Sequence, residues 1–63
     1  MPKLKIDDRV VDVKAGRSLR DVARELGLNL ETVLFVVNGV LVPEDYRLKP
    51  EDEVEVVSVV SGG

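Results

Sequence analysis

A single stretch of this 63-residue chain carries a helical period, and strand-like segments flank it on both sides. Leu19, Val22, Ala23 and Leu26 fall at i, i+3, i+4 and i+7, which makes one apolar stripe on a short helix. Arg20, Arg24 and Glu25 lie off that stripe. Ser18 is a good N-cap, with Asp21 three residues on as a weaker form of the capping box. Gly27 suits the left-handed residue that ends a helix, and Leu28 suits the apolar contact beyond it. One helix can cover one sheet, so the rest of the chain has to build that sheet.

The strand signals are dense enough to do so. Leu4 and Ile6 alternate with Lys3 and Lys5, Asp7-Asp8-Arg9 supplies turn chemistry, and Val11 and Val13 alternate with Asp12 and Lys14. After the helix, Thr32 to Val37 is β-branched and aromatic. Asn38-Gly39 then gives a strong hairpin signal, because both residues tolerate positive φ. Val40-Leu41-Val42 returns until Pro43, which cannot donate to a ladder. Tyr46 and Leu48 are expected to fold back on the core from a short turn or 3₁₀ segment. Pro50-Glu51-Asp52-Glu53 is a second turn, and Val54 to Val60 is the last strand. The order β-β-α-β-β-β predicts an α+β roll with a mixed sheet. A right-handed crossover places the strand after the helix beside the first hairpin. The expected core is Leu4, Ile6, Val11, Val13, Leu19, Val22, Leu26, Val36, Leu41, Leu48, Val54 and Val56. One domain spans 1–60, and 61–63 form a tail.

Composition removes several classes of chemistry. Without Cys there is no disulfide, thiolate nucleophile or Cys-ligated metal, and without His the commonest general base and metal ligand are missing. Twelve acidic residues against nine basic give a net charge of −3, which argues against a general nucleic-acid binder. No apolar run reaches the roughly 18 residues of a membrane span, so a cytoplasmic protein is expected. Glu44, Asp45, Glu51, Asp52, Glu53 and Glu55 lack EF-hand spacing and read as solvated turns. Arg17, Arg20 and Arg24 read as counter-ions on an exposed helix edge. Ser58 and Ser61 have no base arranged with them, and Lys3, Lys5, Lys14 and Lys49 read as surface charge.

The strongest functional signal is the end, Ser61-Gly62-Gly63. At average glycine usage a chance Gly-Gly there has odds of roughly one in two hundred. Two residues without Cβ put the α-carboxylate on a thin stem that can lie flat in a narrow active site. No side chain then crowds a reagent approaching the carboxyl carbon. The tail is expected to be mobile in the free protein, from about Val60 or Ser61 onward.

Strand order, the Val37-Asn38-Gly39 turn reaching Pro43, the Pro50-Glu51-Asp52-Glu53 turn and the Gly-Gly end together resemble the ubiquitin-like sulfur carriers of the ThiS/MoaD family, nearest the ThiS type. Asp52-Glu53-Val54-Glu55-Val56 looks like that type's last strand, although Glu51 or Asp52 stands where a turn Gly is usual. The resemblance implies a β-grasp fold and a protein that is a co-substrate rather than an enzyme. An ATP-dependent activating enzyme would adenylate the carboxylate of Gly63, and a persulfide donor would convert it to a thiocarboxylate. A sulfur-accepting synthase such as thiazole synthase, in thiamine biosynthesis, would take the sulfur. A molybdopterin synthase or a tRNA-thiolating system is the alternative acceptor. It implies no bound cofactor, since the ATP belongs to the partner, and a monomer when free.

Alternation along the last strand turns Val54 and Val56 towards the helix, and Val57 and Val59 outward. Outer valines beside Phe35 or Val37 would make an apolar docking face next to the tail, so Val57, Val59 and Phe35 are the expected partner-binding residues. Two other classes stay open. In one, the chain is a modifier joined through Gly63 to lysines; in the other, it is a small binding domain whose Gly-Gly is incidental.

Overall fold

The structure is a computed structural model that describes residues 1–59. Its elements are β1 (Lys3–Ile6), β2 (Arg9–Asp12), α1 (Leu19–Leu26), β3 (Val33–Val37), β4 (Val40–Val42) and β5 (Glu53–Ser58). The five strands form one sheet in the order β2-β1-β5-β3-β4. β5 runs parallel to β1 and antiparallel to β3, and the two hairpins stand on either side of it. The element that crosses to the first hairpin is therefore β5, not the strand directly after the helix as the crossover argument predicts. This mixed sheet with one helix on one face is a β-grasp fold.

Local chemistry sets each boundary. In the first hairpin Ile6 pairs with Arg9 and Asp7 takes φ 54°; in the second Val37 pairs with Val40, with Asn38 at φ 51° and Gly39 at φ 82°. In the second hairpin, positive φ at both central residues is the type I′ geometry that matches strand twist. The Ser18 hydroxyl accepts from the Asp21 N–H at 3.2 Å. At the other end Gly27 takes φ 74°, its N–H donates to Arg24, and the Leu28 N–H donates to Ala23 at 2.8 Å, which is the Schellman pattern.

The segment between β4 and β5 caps the helix as well as filling the core. The carbonyls of Tyr46 and Glu44 accept from the N–H groups of Leu19 (2.9 Å) and Arg20 (2.8 Å), donors that have no partner inside the helix. Arg20 Nε also donates to Glu44 Oε1 at 2.9 Å. Leu48 is buried, and Tyr46 packs against the core. The segment forms a turn closed from Tyr46 N–H to Pro43 C=O and bridges to Ser18 through Arg47.

Leu4, Ile6, Val13, Leu19, Val22, Ala23, Phe35, Val37, Leu48 and Val54 form the buried core. Leu26 and Val56 are partly buried against it, and Val11 is half-buried. Two expected core residues are misplaced. Leu41 is 61% exposed, and its ladder partner Val36 is only half-buried, because both lie on the outer sheet face. The pairs Phe35–Val56 and Val37–Val54 put Phe35 and Val37 on the helix side instead. A change of one residue in phase exchanges every side chain between faces.

Asp52 is the buried charge of the fold, at 3% exposure. It accepts from the Lys49 N–H (2.9 Å), the Tyr46 hydroxyl (2.8 Å) and Asn38 Nδ2 (3.0 Å). Asn38 Oδ1 in turn accepts from the Glu53 N–H at 3.0 Å. One carboxylate thus fastens the β3–β4 turn, the Tyr46 loop and the start of β5 together. The Lys49 N–H leads in holding its pKa below the ordinary aspartate value; Tyr46 and Asn38 add to this, and burial opposes it. The same contact raises the Tyr46 hydroxyl.

Asp52→Ala should destabilise the domain by about 2 kcal/mol or more, because three donors lose a charged acceptor. A lowered folded pKa means that Asp52 contributes fully above about pH 4 and that its contribution is lost as pH falls through the folded value. Thermal melts taken down the acid range should therefore fall more steeply for the parent chain than for Asp52→Ala, and parallel curves would remove this assignment. Face assignment has its own test by denaturant titration. Phe35→Ala should cost about 3 kcal/mol or more, whereas Leu41→Ser should stay within about 0.5 kcal/mol. Equal losses would return Leu41 to the core.

Candidate functional site

With the helix on one face of the sheet, the other face is open, and its composition is divided. On the β1 side charges alternate. Lys3 stands between Asp12 and Glu53, and Lys5 lies opposite Glu55. Lys3 Nζ meets Asp12 Oδ1 at 2.7 Å, and this holds the Asp12 carboxyl below its usual range. An open depression of about 380 Å³ lies here, lined by Lys3, Lys5, Val36, Asn38, Glu53 and Glu55. Its opposite charges stand in register across the parallel ladder, Lys3 with Glu53 and Lys5 with Glu55.

Towards β4 and the end of β5 the face turns apolar. Leu34 stands opposite Val57, and Val36 opposite Leu41. Leu34, Leu41 and Val57 are exposed, as is Val59 just beyond the strand. Side chains directly opposite, or two apart on one strand, lie within reach of one another, so these residues make one continuous patch. Large contiguous exposed apolar surface is one mark of a protein-docking face.

Val57 (38% exposed) and Val59 (51% exposed) lie outward as their alternation predicts. Phe35 does not. It is 3% exposed and packs in the core, so the expectation that it binds a partner is corrected, and Leu34 takes that place opposite Val57. Val37 is buried in the same way. Leu34, Val36 and Leu41 are the patch residues that sequence reading missed. The pairing register of β3 with β5 is the signal that identifies them. Ser61, Gly62 and Gly63, with the mobility expected of them, lie outside the described residues.

The root of the tail is described. The Val59 N–H donates to the Thr32 carbonyl at 2.9 Å, which extends the β3–β5 pairing beyond Val33–Ser58. The apolar patch therefore borders the point from which the last residues depart. Arg17, just before the helix, pairs with Glu25, and Arg20 pairs with Glu44, as the counter-ion reading expects of these two residues. Among the described residues no group of acidic side chains could hold a metal ion, and no helix is long and apolar enough to cross a membrane.

The model of the ThiS family matches residues 2–63, the whole domain together with the Gly-Gly end. The chain is 47% identical over 53 residues to the sulfur carrier protein TtuB of Thermus thermophilus, a match that covers 84% of this chain and 82% of the relative. It is 39% identical over 67 aligned positions to an uncharacterized protein of Archaeoglobus fulgidus, covering 97% of this chain and 98% of that one. With a β-grasp fold, an apolar face at the root of the C-terminal segment and a family match along nearly its full length, the chain belongs to the ThiS family of ubiquitin-like sulfur carriers.

Proposed function

We infer that the chain carries sulfur on the carboxylate of Gly63 and acts as the protein substrate of an ATP-dependent activating enzyme in the cytoplasm. The observation that carries this reading is the family match through residue 63, which includes both terminal glycines. The carboxylate attacks the α-phosphate of ATP, giving an acyl-adenylate and releasing pyrophosphate. The terminal sulfur of a persulfide then attacks the acyl carbon and AMP leaves. A second thiol cleaves the resulting acyl disulfide, giving the thiocarboxylate and a disulfide on the donor. No side chain of this chain takes part in these steps. Its contribution is to offer an unobstructed carboxylate and a face by which the enzyme holds it. Leu34, Val57 and Val59 are that face, with Val36 and Leu41 extending it.

The ThiS-type resemblance supports thiazole synthase as the acceptor, and thus thiamine biosynthesis. The 47% identity to a sulfur carrier that bears a different name supports a second reading, in which the sulfur goes elsewhere, such as to a tRNA-thiolating system. Supplying the thiocarboxylate form to each purified acceptor and following sulfur loss by intact mass distinguishes the two. Formation of lysine adducts instead would identify a protein modifier.

Deleting Gly63 should abolish ATP–pyrophosphate exchange with the activating enzyme while leaving the melting temperature unchanged. Appending one residue should fail too, because the carboxylate moves by up to about 3.5 Å, whereas about 1 Å of misplacement can cost on the order of a hundredfold in rate. Full exchange by the Gly63 deletion would falsify the carrier reading. Val57→Asp tests the face. It should weaken binding to the activating enzyme by about tenfold or more with the fold retained, and unchanged affinity would remove Val57 from the interface.

A further inference from the structure

The tight turn between β3 and β4 sets a reactive dipeptide beside the buried carboxylate. Asn38 and Gly39 are both exposed and border the open depression on the outer sheet face, so water reaches them. A Cβ at Gly39 would meet no atom within 4 Å, and with none of its own the residue leaves its backbone nitrogen open to approach. That is the setting in which a preceding asparagine carboxamide cyclises, the reaction that makes asparagine thermolabile. The fold restrains the electrophile instead. Asn38 Nδ2 donates to Asp52 Oδ1 at 3.0 Å, and Asn38 Oδ1 accepts from the Glu53 N–H at 3.0 Å. Both ends of the carboxamide are thereby bonded to the start of β5, and the Asn38 N–H donates to the Glu53 carbonyl at 2.9 Å as well. Cyclisation makes Cγ tetrahedral and expels Nδ2, so it cannot be completed while the bond to Asp52 stands.

We propose that Asn38 is a site of spontaneous deamidation, held back by its bond to Asp52, and that its conversion to an acid unlocks the start of β5. The Gly39 nitrogen, its proton passed to solvent, attacks Asn38 Cγ. The Cγ–Nδ2 bond breaks, and Nδ2 leaves as ammonia with a proton from water. The succinimide then adds water at either carbonyl and opens to an aspartyl or isoaspartyl residue. One water is consumed, one ammonia is released, and nothing is oxidised or reduced. An oxygen now stands where Nδ2 donated to Asp52, so a donor–acceptor pair becomes two carboxylates that cannot both ionise without cost. The isoaspartyl form also lengthens the main chain by a methylene inside a two-residue turn built on φ values of 51° and 82°. The cluster that joins the β3–β4 turn to β5 is thus the one this reaction undoes. Asn29, the other asparagine of the chain, precedes Leu30, whose side chain shields the nitrogen. Nothing in this inference depends on the carrier reading.

The test is to hold the full-length chain folded at mildly alkaline pH and follow it by intact mass and peptide mapping. The amide-to-acid mass gain should map to Asn38 and spare Asn29. It should form about tenfold or more slowly than in the same chain unfolded in urea, since a hydrogen bond to a charged acceptor has to open first. Asp52→Ala should speed it by about tenfold. Asp52→Asn, which keeps the shape and removes the charge, should speed it less, and it serves the same purpose if the alanine variant does not fold. Val22→Ala loosens the core under the helix without touching the turn. Its rate should stay within about twofold of the parent, because local opening rather than global unfolding admits the reaction. The deamidated form, separated by its added negative charge, should melt below the parent, and so should Asn38→Asp. No gain at Asn38 in any of these samples would overturn the site. A rate in the Asp52 variants equal to or below the parent's, or an equal gain in Val22→Ala, would overturn the protection by Asp52. Unchanged melting of the deamidated form would overturn its effect on β5.

Discussion

Everything in this domain is organised by the pairing of its first strand with its last. β5 forms ladders on both sides, parallel to β1 and antiparallel to β3, and without it the two hairpins have no common sheet. Neither hairpin alone presents enough apolar surface to hold the helix. The core residues under α1 come from β1, β3 and β5 together. A two-stranded hairpin is marginal in water, and this assembly passes that limit only when the last strand enters.

The Asp52 cluster belongs to the same constraint. A strand that must insert between two others needs its starting point fixed, and Asp52 lies immediately before β5. Its bonds to Asn38 and Tyr46, with the Asn38 bond to Glu53, settle the register of β5 against β3 at the end far from the tail. Towards the other end the Val59 N–H donates to the Thr32 carbonyl, in the same register. Between these two points the faces of β5 are determined, and with them which valines meet the helix and which lie outward. Burying a carboxylate for this purpose is tolerable because all its strong donors come from within the same three segments.

Much of this was legible in the sequence, because the controlling residues act locally. Asn38-Gly39, Ser18 and Gly27 each dictate a backbone conformation by their own chemistry, and each sits where its preference predicts. The outward valines of β5 were legible because Glu53 and Glu55 mark the alternation there. β3 has no such marker. Five consecutive apolar residues, Val33 to Val37, fit either phase, so Phe35 and Leu34 exchanged roles, and Leu41 and Val36 followed through the hairpin. The neighbour of β1 was also hidden, because strand order is decided by long-range pairing rather than by any short segment. Asp52 read as one acid of a solvated turn because its donors come from residues up to fourteen positions away.

A central strand that leads straight into the tail also determines how the domain bears a load. A load applied at the C-terminal end of β5 along that strand acts on the ladders at both of its edges. Ladder bonds to β1 and β3 lie across that axis, so they resist together in shear instead of opening one after another as they would at a sheet edge. Among the described residues the contact nearest that end is the Val59–Thr32 bond, and behind it stands a strand with ladders on both sides. The topology therefore makes the domain stiff to a load along β5, so its C-terminal strand can serve as a handle without unravelling.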